Sequence, residues 1–468
     1  MFAEAQTPAE AAAPSTRRAA LLGATAAVTS TALLAGPASA AITIPDPRGA
    51  PAAAATVDAL ELAIPLRLVA LRGSVPGEAL AGFKACLGRR GGSVALQPRP
   101  QLAAIFDELA RPEVGGAKSA ATADAVTLGD EWLAAAVGRG LVVPIQGAPS
   151  SAWWARLHPT WRRLVTRGAD GGLASPSKGG AVYGAPLRWG AVMMGVRGDR
   201  LRAARAPPPV EWRDLLHPAL AGRVALPSSP RLFAALSCAA AGMGLNPSAA
   251  DLEAGLGSSR RGDRAGAAVA ALASTMAALR RAALLVSDRD AGRALAAGDA
   301  WVVVGASPDL LPLSSRSSAV SLAAPPSGLP LWADLWCVPA LTAAGGGGGR
   351  GAAPGTPSPL LPAWLDYCLS PGRADAGRGF GAMGGGASPL VLPPREGGGG
   401  SSSGGRGLFG RRSRNPPAPP PPAQATALRP GGLPPAPTLA RSAFLEPLGG
   451  EVGAMVAEAM RAATAREE

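Results

Sequence analysis

Residues 183–227 constrain the fold more than any other part of this chain. Residues 191–196 form a short apolar run bounded by Gly190 and Gly198, the pattern of a buried strand. Pro207, Pro208 and Pro209 follow, and three consecutive prolines cannot enter a helix interior, so they read as a connector. A short helix then begins over 210–216, with Trp212, Leu215 and Leu216 at helical spacing. Taken alone, such a strand–connector–helix unit fits any α/β domain.

The alternation extends in both directions. Strands are expected at 66–71, 94–96 and 125–127. They are separated by helices at 77–87, where Leu80, Phe83 and Leu87 share a face, and at 102–109. A helix over 131–137 ends at Gly138, and an apolar segment follows at 141–145. Beyond the central block, helices are expected over 231–244 and from near Asp251, after the Asn246-Pro247 turn. A long alanine-rich helix covers 267–285, a strand lies at 301–304, and a last helix covers 444–463. Alternating strand and helix patterns argue for parallel strands in an α/β architecture. A length of 468 residues gives roughly two domains as the prior.

Composition narrows the function classes. There are 62 glycines and 48 prolines, well above the usual shares of about 7% and 5%. Many lie in low-complexity tracts at 345–349 and 384–437, which read as flexible or polyproline-like inserts. The net charge is +13, but seven arginines face the single acid Glu396 between residues 384 and 441. No aromatic interleaving or recognition helix accompanies that basic tract, so nucleic acid is not an expected partner. The four cysteines, Cys86, Cys238, Cys337 and Cys368, form no C-x-x-C pair; Cys238 and Cys337 sit in apolar runs and read as small core residues.

The N-terminus reads as an export signal. Arg17 and Arg18 precede an uncharged stretch over 19–35 and then Ala38-Ser39-Ala40, an A-x-A cleavage pattern with maturation before Ala41. Thr29, Ser30 and Thr31 interrupt the apolar run, which makes a permanent membrane anchor an unfavourable reading. A twin-arginine signal serves both the chloroplast thylakoid lumen and the bacterial periplasm. Glycine and proline insertions within a folded domain favour the lumen, with the periplasm as the alternative.

No catalytic apparatus is visible. The two histidines, His158 and His217, each precede a proline, and no HExxH, zinc quartet or phosphate loop can be assembled. Gly400-Ser-Ser-Ser-Gly404 satisfies G-x-S-x-G only within a serine–glycine run, with no strand before it. The expectation is a protein that is not an enzyme and carries no cofactor or metal.

Several motifs in fixed order supply a more specific expectation. They are Tyr183-Gly-Ala-Pro-Leu-Arg-Trp-Gly190, Glu211-Trp-Arg-Asp-Leu-Leu-His-Pro218 with Ala221-Gly-Arg-Val-Ala-Leu-Pro227, Asp124-Ala-Val-Thr-Leu-Gly-Asp-Glu-Trp-Leu133, and Trp332-Ala-Asp-Leu-Trp-Cys-Val-Pro339. Together they resemble the bacterial spermidine/putrescine-binding periplasmic proteins, with the likeness spanning about 66–381. The resemblance implies a bilobal α/β fold of the type 2 periplasmic-binding-protein class, two mixed sheets flanked by helices with a hinge. Crossing strands would lie near 192–195 and 332–335. The implied organisation is an export signal at 1–40, a linker at 41–60, lobe 1 at 61–194 and lobe 2 at 195–332. A return to lobe 1 at 333–383, the low-complexity tract at 384–440 and a C-terminal helix at 441–468 complete it.

The resemblance also implies a small cationic ligand, a polyamine, held between carboxylates and aromatic faces. ABC-transporter membrane subunits would be partners, and the receptor would be a monomer. Carried over position by position, Trp332 and Asp334 match the family's ligand-contacting pair. Asp130, Glu131 and Trp132 fall in the first lobe's ligand turn, and Ser307 and Asp309 in the turn after the 301–304 strand. Ser229 stands where the family has an acid, and Ala306 where it has an aromatic. Those departures leave open a second reading, a lumenal scaffold or assembly factor that kept the receptor fold without its ligand.

Overall fold

The computed structural model describes residues 39–43, 54–58, 65–88, 93–114, 116–254, 264–344, 356–373, 386–390 and 433–464. Most of the export signal and nearly all of the low-complexity tract lie outside the described residues. The strands in chain order are β1 (Ser39–Thr43), β2 (Ala54–Asp58), β3 (Leu66–Leu71), β4 (Val94–Arg99) and β5 (Ala125–Gly129). Next come β6 (Val142–Val143), β7 (Thr166–Arg167), β8 (Ala181–Val182), β9 (Ala185–Arg197) and β10 (Val224–Leu226). The last five are β11 (Ala283–Val286), β12 (Val302–Ala306), β13 (Val320–Ala323), β14 (Pro330–Pro339) and β15 (Ala443–Phe444).

Eleven strands form one mixed sheet along the path β11-β10-β12-β9-β14-β5-β3-β4, with β13, β15 and β6 attached beside it. It has two halves. In the first, β3 runs parallel to both β4 and β5; in the second, β10 runs parallel to both β11 and β12. β9 joins them, pairing with β14 over 185–191 and with β12 and β13 over 192–197, always antiparallel. Helices such as Gly77–Leu87, Asp130–Gly138, Pro230–Ala240 and Arg264–Ala282 connect and flank the strands.

Local sequence explains where the elements end. β9 does not stop at Gly190, as the apolar run suggests, but runs on to Ala185. A Cβ at Gly190 would lie 2.6 Å from Ser307 Oγ and 2.7 Å from Trp332 Cζ2, so glycine here allows close approach and does not break the strand. β4 continues past Pro98, tolerated because β4 is an edge strand. The alanine-rich helix ends at Ala282, three residues early, and Ala283–Val286 joins β10 as β11. The C-terminal helix starts at Gly450, not Phe444, because Pro447 cannot donate within a helix and Phe444 pairs with Leu331 in β15.

The chain has few aromatics, and it spends them on the core. Trp153, Trp161, Trp189, Trp212, Trp336 and Trp364 are all less than 2% exposed. Trp161 meets Trp189 at 5.8 Å and Phe444 at 4.9 Å between ring centroids, so the late β15 segment closes the middle of the sheet. Cys238, Cys337 and Cys368 are buried and all four cysteines are free thiols. Each histidine caps a helix that opens with proline: His158 accepts from the Thr160 N–H and His217 from the Ala219 N–H.

The residues around β15 also tie the two halves together. Arg163, in the first half, pairs with Glu446 at 2.6 Å. From the second half, Arg231 Nε donates to the Glu446 carbonyl at 2.8 Å and Asn246 Nδ2 to the Phe444 carbonyl at 2.8 Å.

Candidate functional site

In open parallel sheets, ligands bind beyond the carboxyl ends of the strands. Here both halves point those ends at one another. In the first half, β5 ends at Gly129 and helix Asp130–Gly138 starts at once. In the second, β10 leads to Ser228 and Ser229, β11 to Ser287 and Asp288, and β12 directly into helix Ser307–Arg316. The two edges touch where Ser229 Oγ donates to Glu131 Oε2 at 2.5 Å. Ser229 also caps its own helix by accepting from the Leu232 N–H.

Asp130 is buried. Its Oδ1 accepts from the Ala333 N–H at 2.8 Å, while Oδ2 finds no partner among the described residues. Burial pushes the carboxyl up to about 7, with neighbouring Glu131 adding to the effect and the Ala333 N–H and Arg167 opposing it. Burial also raises Glu131; Ser229 and the Trp132 N–H lower it, and the Asp288 charge raises it further. The Trp132 ring itself packs on Phe106, with centroids 4.8 Å apart, so its face belongs to first-half packing.

On β14, Trp332 and Asp334 are two residues apart and share a face. Asp334 lies opposite Arg188 and Trp332 opposite Gly190. Arg188 Nε donates to Asp334 Oδ2 at 2.6 Å, with side-chain exposures of 5% and 2%, and the guanidinium sits 5.2 Å from the centre of the Trp332 ring. The acid and aromatic face expected to hold a ligand's ammonium therefore hold the protein's own cation. The cause is cross-strand pairing: a buried carboxylate needs a partner, and β9 supplies one directly opposite.

Ser307 is buried against Gly190 and Trp332. Asp309 is open to solvent yet hemmed in by surrounding protein, which raises its carboxyl; Arg188 opposes this, and Asp288 and Asp334 add to it. Asp288 is exposed and accepts from the Ser228 N–H at 3.3 Å. Among the described residues, no ion pair involves Glu131, Asp288 or Asp309. Nor do any three His, Cys, Asp or Glu side chains there assemble a metal site, so the acids are spaced too widely for one ion.

Direct contacts and charge interactions thus bring Glu131, Ser229, Ser307, Asp309, Trp332 and Asp334 together where the strand ends of the two halves meet. Asp130 sits beneath them, and Trp132 enters only through its N–H. Sequence reasoning missed two members. Arg188 occupies the variable position of the Pro186-Leu-Arg-Trp-Gly190 motif, and only strand register reveals its partner. Asp288 had a legible signal, as the first acid after a short apolar run.

Two half-sheets joined by antiparallel crossing strands, with helices on both, form the bilobal α/β fold of the periplasmic-binding proteins. Residues 113–345 match the family described as bacterial extracellular solute-binding protein, and over that stretch the chain belongs to it. It is accordingly a solute-binding protein of the ABC-transporter type, in a family of receptors and not of enzymes.

Among solved structures, the chain is similar to a spermidine/putrescine ABC transporter substrate-binding protein, PotD, from Streptococcus pneumoniae. The identity is 14% over 66% of this chain and 78% of that one, with a TM-score of 0.46. A putative spermidine/putrescine ABC transporter from Listeria monocytogenes is 15% identical over 70% and 83%, with a TM-score of 0.46. The periplasmic binding protein AfuA from Actinobacillus pleuropneumoniae, solved with fructose-6-phosphate, is 13% identical over 70% and 85%, at 0.45. No curated protein matches the chain. Among the described residues, no helix is long and apolar enough to cross a membrane.

Proposed function

We propose that this solute-binding protein takes a small organic cation of the polyamine type in the crevice between its two halves. The observation that supports it is the set Glu131, Asp288 and Asp309, contributed by three different strand ends and lacking ion pairs among the described residues. Burial above all, with repulsion from Asp288, raises Glu131 and Asp309, and an ammonium group among them relieves both costs. Closure about β9 and β14 would bring the acids around the ligand, a hinge motion.

Calorimetric titration with spermidine and putrescine tests the reading. Binding is expected for at least one, and it strengthens as pH rises through the range where the raised carboxyls ionise, because they must be charged to pair with the amine. Folded protein giving no heat with either amine at any pH in that range overturns the polyamine assignment.

One observation favours the scaffold reading instead. Arg188 already fills the Trp332–Asp334 pair, and the Ser229–Glu131 bond already bridges the crevice. Under that reading the chain co-purifies with a membrane complex, and its amine titrations are flat.

For the compartment, we propose twin-arginine export to a thylakoid lumen, with the bacterial periplasm as the alternative; the family's extracellular character supports export. Cleavage before Ala41 would leave Ala41, Ile42 and Thr43 paired with Thr56, Ala55 and Ala54. Replacing Arg17 and Arg18 with lysine is expected to abolish export in a fractionation assay, and fractionation of the native cell separates the two compartments.

A further inference from the structure

β14 has a second face, and what it borders is unlike the acidic crevice. Leu331 points away from the Trp332–Asp334 side, into a cavity of about 400 Å³ that Leu164, Leu173 and Phe444 also line. The charged groups at this cavity are Arg163, Arg167, Arg441 and Glu446. Arg163 and Glu446 pair with each other at 2.6 Å on the exposed rim. Arg441 is also exposed and donates to the Pro326 carbonyl at 2.5 Å.

Arg167 is different. It is 1% exposed, held by Nε to the Leu164 carbonyl at 2.9 Å and by Nη1 to the Gly171 carbonyl at 3.4 Å. Its Nη2 finds no partner among the described residues. Asp130 and Glu446 are the opposite charges acting on it, and neither makes an ion pair with it. A buried guanidinium without a carboxylate is costly, and the cost persists in a fold only where something answers the charge. Water can supply one hydrogen bond but no negative charge.

We propose that this cavity is a second ligand site, separate from the crevice, for a small carboxylate with a short apolar body, its anionic head on Arg167. The volume lies within the range of small-molecule sites. Leu164, Leu173, Leu331 and Phe444 provide the apolar wall. With Nε and Nη1 held by carbonyls, Nη2 is the group left for the carboxylate, in one charge-assisted hydrogen bond. The crevice repels such a ligand, since its unpaired groups are acids.

Titration of the full chain with acetate, butyrate, hexanoate and inorganic phosphate, with and without saturating spermidine, tests the assignment. Butyrate or hexanoate should bind, more tightly than acetate, and spermidine should not displace it. Arg167→Met should weaken that binding by about tenfold or more, the loss of one charge-assisted contact. Leu173→Trp, which narrows the cavity and leaves the arginine in place, should weaken hexanoate more than acetate. If Arg167→Met does not fold, Leu173→Trp decides. No binding of any anion to the folded wild type overturns the site, as does binding that neither variant changes; phosphate binding without carboxylate binding overturns the ligand class. Loss of spermidine binding alone would bear on the crevice and not on this cavity.

Discussion

Two buried acid–base couples lie within a few residues of one another, and they are built in opposite ways. Asp334 and Arg188 meet at 2.6 Å across a strand pair, and the guanidinium is further covered by Trp332. Asp130 and Arg167 are equally buried and feel each other's charge, yet each keeps a polar atom with no partner among the described residues. The first couple is finished within the protein and serves the sheet. The second is incomplete, leaving Asp130 Oδ2 and Arg167 Nη2 without a partner among the described residues.

The largest expected effect breaks the closed couple. Asp334→Ala strands Arg188 in the core and should cost about 3–5 kcal/mol in urea unfolding, whereas Asp334→Leu combined with Arg188→Met should recover most of it. A cost below about 1 kcal/mol for the single change would erase the contrast between the couples. Next comes the open couple. Burial raises Asp130 to about 7, so the folded protein holds a proton that the unfolded chain releases. That contribution is fully present below about pH 4 and is lost as pH rises to 7. Asp130→Asn keeps the acceptor for the Ala333 N–H and should flatten this fall, a difference of about 2–4 kcal/mol between the two ends of that range in pH-dependent denaturation.

Smaller effects sharpen the account of the crevice. Asp309→Asn should lower spermidine affinity about tenfold without lowering the melting temperature, since the carboxylate makes no ion pair among the described residues and its charge is disfavoured there. Ser229→Ala removes a helix cap together with the bond to Glu131, and should cost about 1 kcal/mol. If amine binding strengthens in that variant, the Ser229–Glu131 bond competes with the ligand for the acid.

Much of the fold was legible because strand and helix periods differ. β3 and the helix Gly77–Leu87 fall where apolar spacing puts them. What misled was context. Gly190 reads as a boundary until Trp332 is seen pressed against it, and Ala283–Val286 reads as helix until β10 is seen beside it. The site divides in the same manner. Motif order located Trp332, Asp334 and the Asp130–Glu131 turn, because those residues follow recognisable strands. Arg188 was out of reach, since its importance lies wholly in a partner 146 positions away. The cavity around Arg167 was equally hidden, as its walls come from residues 160–173, 246, 331 and 440–446.

The contacts of Phe444 and Glu446 with both halves carry a consequence for how this molecule is made. Each half can collapse as its own residues leave the ribosome, but the clasp between them is translated last. Until then the halves are joined through β9 and β14 without those late bonds. A chain stalled within the long arginine- and proline-rich tract would therefore be a receptor whose jaw has never been set.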